Sequence, residues 1–142
     1  MTSYLTGSYQ HNIDSKGRLT VPVKLREQLG DRFYVTHGLD GCLFVYPEKE
    51  WEAFMEEICS KPISQAAVLQ RYFIANSSVV EPDSMGRILI PKNLRDFAQL
   101  EKDAVFLGVG KRAEIWSAVK LEEFNAKQTP ESIFEVMSSS LL

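Results

Sequence analysis

Long apolar runs are missing from this 142-residue chain. No uninterrupted stretch approaches the roughly 18 residues that a membrane span needs, so no membrane partner is expected. The segment MTSYLTGSYQ at the start has neither the basic opening nor the apolar core of a signal peptide, which points to the cytoplasm. Cysteine is scarce. Cys42 and Cys59 stand far apart without a CxxC, and in a reducing compartment both are expected to be free, buried thiols. The two histidines, His11 and His37, have no Cys, Asp or Glu at metal-ligand spacing, so no metal and no cofactor is expected. GVGKR at 108–112 lacks the spacing of a phosphate loop and its following Ser or Thr, and no serine sits in a G-x-S-x-G context. No catalytic residue is therefore assigned. The net charge of −3 excludes a generally basic protein that coats nucleic acid, but leaves room for a local basic patch.

What is present is a chain that contains itself twice. DSKGRLTVPVKLR (14–26) and DSMGRILIPKNLR (83–95) align without a gap at an offset of 69. Asp14, Ser15, Gly17, Arg18, Pro22, Leu25 and Arg26 meet Asp83, Ser84, Gly86, Arg87, Pro91, Leu94 and Arg95. With a slip of one residue the likeness continues, Gly38 falling on Gly108, Val45 on Ile115, Tyr46 on Trp116 and Phe54 on Phe124. Identities of this kind, Gly, Pro and Arg among them, mark an internal duplication.

Each copy reads as strand, turn, strand, short helix, two strands and helix. Leu19 and Val21 alternate along an extended run, and Pro22 suits the first position of a short helix ending at Gly30. Phe33–Thr36 and Leu43–Tyr46 are rich in aromatic and branched residues and read as strands. Trp51, Phe54, Met55 and Ile58 fall at helical spacing, as do the apolar positions of a connecting helix over 64–75. The expected organisation is a first repeat over 1–60, a connecting helix over 61–76, a second repeat over 77–124 and a Ser-rich tail over 125–142, frayed or docked on another subunit. Two half-units of four short strands are too small to close cores separately. The expected fold is therefore α+β, a pseudo-twofold barrel in which the two repeats interlock, with flanking helices. So small a barrel cannot bury all of Trp51, Phe54, Phe73 and Phe134, so subunit contacts are expected among them, while Trp51 and Trp116 are expected in the core or at such contacts.

A D-x-x-x-R turn followed by Pro, repeated about 70 residues on, resembles the MraZ family, and the likeness runs from Tyr9 to about Phe124. The resemblance implies a doubled AbrB-type swapped-hairpin barrel. It also implies a bacterial DNA-binding transcriptional regulator, nucleoid-associated and assembled into homo-oligomeric rings. Such a protein would act on repeated sites upstream of its own cell-division and cell-wall operon. Its partners would be double-stranded DNA and further copies of itself.

The turn chemistry fits that expectation. Asp14 and Asp83 can accept from backbone N–H groups two or three residues on, and Gly17 and Gly86 can take the positive φ of the reversal. These four shape the motif. Lys16, Arg18, Lys24 and Arg26 in the first copy, and Arg87, Lys92 and Arg95 in the second, are the expected DNA contacts. The segment 14–26 carries a net +3 and 83–95 a net +2, whereas 48–57 carries −4. A basic cluster alone is equally an ordinary solvated face, and an Asp14–Arg18 ion pair could serve shape alone. Segregation of charge is nevertheless what a phosphate-facing surface needs. Met85 replaces the tip lysine in the second copy, so the two turns are not equivalent. Two other readings compete. An antitoxin-like or scaffold module would use the same edges to hold a protein, and an enzyme would need Asp14 and Asp83 to meet in a pocket.

Overall fold

The computed structural model describes residues 4–142. The first repeat supplies β1 (Leu5–Asn12), β2 (Arg18–Thr20), α1 (Val23–Leu29), β3 (Phe33–His37), β4 (Leu43–Pro47) and α2 (Glu48–Cys59). A connecting helix α3 (Ile63–Leu69) runs on through a π-helical turn, Gln70–Ile74. The second repeat follows as β5 (Ser78–Val80), β6 (Arg87–Leu89), α4 (Lys92–Phe97), β7 (Asp103–Gly110), β8 (Ala113–Ser117) and α5 (Ala118–Ala126), and α6 (Pro130–Ser140) ends the chain.

Proline stands just before four of these helices and is the first residue of α6. Pro22, Pro47, Pro62 and Pro91 each stand just before the first helical residue with extended ψ. Pro22 is thus one position earlier than its sequence suggests, and its carbonyl accepts from the Leu25 and Arg26 amides. A ring locked near φ −60° ends the preceding strand and directs the chain into the helix without losing an internal hydrogen bond.

Strand pairing crosses between the repeats. A six-stranded sheet has the order β1-β7-β8-β4-β3-β5, and β2 and β6 form a separate two-stranded ribbon; both are antiparallel throughout. Among the described strands only the β3–β4 and β7–β8 hairpins pair within a repeat. The first strand of each repeat lies instead on the third strand of the other, β1 on β7 and β5 on β3. The twofold passes through the pairs Leu19–Ile88 and Phe44–Glu114, about which each register maps onto itself. A bridge between Ile13 and Leu19 ties the ribbon to the large sheet. Phe33 pairs with Pro47 and Ala104 with Ser117, so the third strands correspond one residue beyond the Gly38–Gly108 match. A shorter connection in the second hairpin absorbs the difference.

Period-two alternation then makes two cores. Leu43 and Val45 of β4, Ile115 of β8 and Phe106 of β7 point to one side, where the ribbon residues Leu19 and Ile88 and the helix residues Leu25 and Leu94 close over them. Phe44, Tyr46 and Trp116 point to the other side and meet Trp51 and Ile58 of α2 and Phe73 of the π turn. The acidic helix α2 therefore lies across the large sheet from the ribbon.

This second core accounts for aromatics that are too many for one barrel to bury. Trp51 and Phe73 are buried and Phe54 packs beside them, so three of the four aromatics among which subunit contacts are expected are consumed within the chain. Phe134 alone stays 61% exposed. Its segment is the helix α6, begun by a reciprocal hydrogen-bond pair between Thr129 and Ser132. Cys42 is buried, and desolvation pushes its thiol up to about 12; Cys59 is exposed at the end of α2, contrary to expectation.

Candidate nucleic-acid interface

The two DSxGR turns fold alike, for local reasons. Asp14 Oδ1 accepts from the backbone amides of Lys16 and Arg18, both at 2.9 Å, and its Oδ2 accepts from Arg18 Nε at 2.7 Å. Asp83 does the same for the amides of Met85 and Arg87, at 2.9 Å each, and for Arg87 Nε at 2.9 Å. One carboxylate thereby closes the turn and orients the arginine that leaves it. These hydrogen bonds, the Arg18 amide foremost and then its guanidinium, hold the Asp14 carboxyl at about 2 instead of its ordinary 3.8. Asp83 is lowered from 3.8 by the corresponding contacts with Arg87. Gly17 and Gly86 sit at φ +84° and +79°, where a side chain is strained.

The ribbon brings the two arginines together. In β2, Leu19 faces the core with no exposure, which turns Arg18 and Thr20 outward; in β6, Ile88 faces the core and Arg87 and Leu89 turn outward. Arg18 lies opposite Leu89 and Arg87 opposite Thr20. The arginines are therefore diagonal neighbours on one outer face, a separation of about 7–8 Å between backbone positions. Nothing in the sequence shows this juxtaposition, because it depends on the strands of different repeats being partners. Arg18 and Arg87 side chains keep 31% and 27% exposure, their Nε atoms held by the aspartates.

The other candidates divide. Lys16 is exposed at the tip of the first turn, and its counterpart Met85 is 65% exposed at the second. Lys24 is exposed on α1; Lys92 is exposed on α4 and pairs with Asp96 at 2.8 Å. Arg26 and Arg95 are half-buried, and their Nε atoms donate to Val21 O at 3.0 Å and Ile90 O at 2.9 Å. Asp14 and Asp83 do not meet; each is confined to its own turn. GVGKR forms the end of β7 and the hairpin to β8. His37 is packed, stacked on Phe97 with ring centroids 3.8 Å apart. Among the described residues no group of three His, Cys, Asp or Glu could hold a metal, and no helix is long and apolar enough to cross a membrane.

Fold and site together define an internally duplicated α+β domain with exchanged strands and two arginine-bearing turns on a shared ribbon. A family model described as "MraZ protein, putative antitoxin-like" matches the chain twice, over residues 4–70 and 73–141. A protein of Desulforamulus reducens is 46% identical over 138 residues, covering 96% of each chain. One of Lachnoclostridium phytofermentans is 50% identical over 133 residues, covering 93% of this chain and 94% of its own. A third, of Heliobacterium modesticaldum, is 48% identical over 126 residues, covering 87% and 88%. All three carry the name Transcriptional regulator MraZ. The chain belongs to the MraZ family, which consists of regulators of transcription and not of enzymes.

Proposed function

We propose that this protein binds double-stranded DNA sequence-specifically and regulates transcription, in the simplest form as a repressor at repeated sites upstream of its own cell-division and cell-wall operon. The observation that carries this reading is the placement of Arg18 and Arg87 on one outer face of the β2–β6 ribbon. A two-stranded ribbon fits the major groove, where arginine reads guanine through two hydrogen bonds. Lys16, Lys24 and Lys92 then serve phosphates, which fix position without reading sequence. The acidic helix α2, kept on the far side of the sheet, does not oppose the approach of a polyanion.

One subunit makes few cationic contacts. Several in a ring, working in the cytoplasm on the nucleoid, gain by effective concentration on successive repeats. The exposed apolar face of α6 that carries Phe134 and Met137 supports such assembly, and the exchanged sheets fit the swapped-hairpin barrel. The test is a mobility-shift titration on the DNA upstream of the encoding operon, repeated over a salt series. Log affinity is expected to fall steeply with log salt. The same face of α6 and the antitoxin-like family description favour a second reading, a protein partner. A flat salt response with no preference for that DNA would decide for it.

A further inference from the structure

Arg26 and Arg95 stand at matching places in the two copies, yet each side chain serves the turn of the other copy. Arg95 donates through Nε to Ile90 O in its own repeat. Its guanidinium covers Gly17 of the first turn, Cζ lying 2.7 Å and Nε 2.8 Å from where a Cβ at that glycine would stand. The Ile90 amide meanwhile donates to Gly17 O at 3.1 Å. The second turn is held in the same way. Arg26 Nε donates to Val21 O, the Val21 amide donates to Gly86 O at 2.9 Å, and the Arg26 guanidinium covers Gly86, with Nε 2.7 Å from the Cβ position. Arg26, Asp83, Ser84 and Gly86 also line a single cleft.

We propose that Arg26 and Arg95 are positioning residues, each clamping the DNA-contacting turn of the opposite repeat through its glycine, and are not themselves contacts to DNA. The inference rests on the reading of the turns as DNA contacts. Each turn glycine is fixed at two points by the other repeat, the carbonyl by a backbone amide and the α-carbon by a guanidinium. A glycine at positive φ is the most mobile residue of its turn, so fixing it holds Asp14 and Arg18, or Asp83 and Arg87, in register. To reach a phosphate, Arg95 would have to leave both Gly17 and the carbonyl of the buried Ile90. The clamp also needs arginine in particular. A planar guanidinium lies flat over a peptide while donating sideways through Nε, and a tetrahedral ammonium cannot do both. Gly17 with Arg95, and Gly86 with Arg26, are thus paired requirements between copies.

The experiment compares Arg95→Lys with Arg95→Gln in fluorescence-anisotropy titrations on the upstream duplex, with thermal melting and sizing as controls. A phosphate contact would survive Arg95→Lys, since the charge is kept. A clamp would not, and Arg95→Lys is expected to weaken binding about tenfold per engaged subunit, with the salt slope of the wild type. Combining Arg95→Lys with Arg18→Ala should cost less than the sum, while combining it with Arg87→Ala should be additive. The decisive readout needs no DNA. NMR titration of the free protein should show the Asp14 carboxyl raised by Arg95→Lys with Asp83 unmoved, and the reverse for Arg26→Lys. Wild-type affinity in Arg95→Lys, or an unmoved Asp14, overturns the proposal. If the wild type does not bind the duplex, the reading of the turns as DNA contacts fails, and the titration still shows whether each arginine holds the opposite turn.

Discussion

Leu19→Ala tests how the ribbon is held. Leu19 has no exposure and faces Ile88 at the twofold, in the layer between the ribbon and the large sheet. Removing a leucine's outer carbons forfeits about 0.8 kcal/mol of transfer free energy per methylene. A cavity term is added to the extent that the surroundings cannot close in, giving about 2–5 kcal/mol for Leu→Ala in general. Here the ribbon has little freedom to move. The Val21 amide holds Gly86 O at 2.9 Å and the Ile90 amide holds Gly17 O at 3.1 Å, one beyond each end of the short ladder. The upper part of the range applies, about 3–5 kcal/mol. That is a large share of the roughly 5–15 kcal/mol that stabilises a typical domain. It corresponds to a melting temperature lower by roughly 10–17 °C in a chain of this size. Circular dichroism and calorimetry should show a single transition displaced as a whole, because the core around Leu19 and Ile88 is built from strands and helices of both repeats. Ile88→Ala should act alike, and the double variant should depart from additivity, since both side chains border one cavity. A loss below about 1.5 kcal/mol, the range of a well-tolerated repacking, or a melt that splits into two transitions, would refute the reasoning.

Expressed alone, residues 1–76 should be unfolded or should dimerise by pairing with a second copy, because four of the six strand pairings join the two repeats; a stable monomer in sedimentation would contradict the exchange. For acid stability the sign follows from the depressed Asp14 carboxyl. Its contribution is whole above about pH 4 and is lost as pH falls towards 2. Asp14→Asn should flatten the urea midpoint across that window, and an unchanged acid limb would count against the turn as described. Arg18→Ala should cost about 1–3 kcal/mol of DNA affinity per engaged subunit and relax sequence preference. Arg87→Ala should be milder, because its turn carries Met85; equal losses in anisotropy titrations would remove the asymmetry. Lys16→Ala should lower the salt slope by about one per engaged subunit and spare the sequence preference, and a changed preference would make Lys16 a base contact instead.

The local chemistry of this protein was legible in its sequence. A carboxylate that caps the amides just after it, a glycine that admits positive φ and apolar side chains at helical spacing over 48–59 all act within a few residues, so the turns and α2 could be read directly. The second amide bound is four residues on, where two or three is the expectation. The duplication was equally plain, and with it the argument that half-units so small must interlock. The partners of the strands were not. A strand's hydrogen-bonding edge carries no address, and β1 could pair within its own repeat or with β7 in the other. Only the simultaneous burial of both cores selects the exchange. From that choice follow the features local reasoning could not reach. Trp51 and Phe73 are buried in a second core behind the sheet. Arg18 and Arg87, 69 residues apart, share one face of a ribbon. Arg26 and Arg95, which look in the sequence like two more members of a basic cluster, cover the turn glycines of the opposite copy. The sequence determined which groups could make these contacts; which groups meet was decided by the tertiary structure, because pairing free energy belongs to the assembled sheet and not to any strand within it.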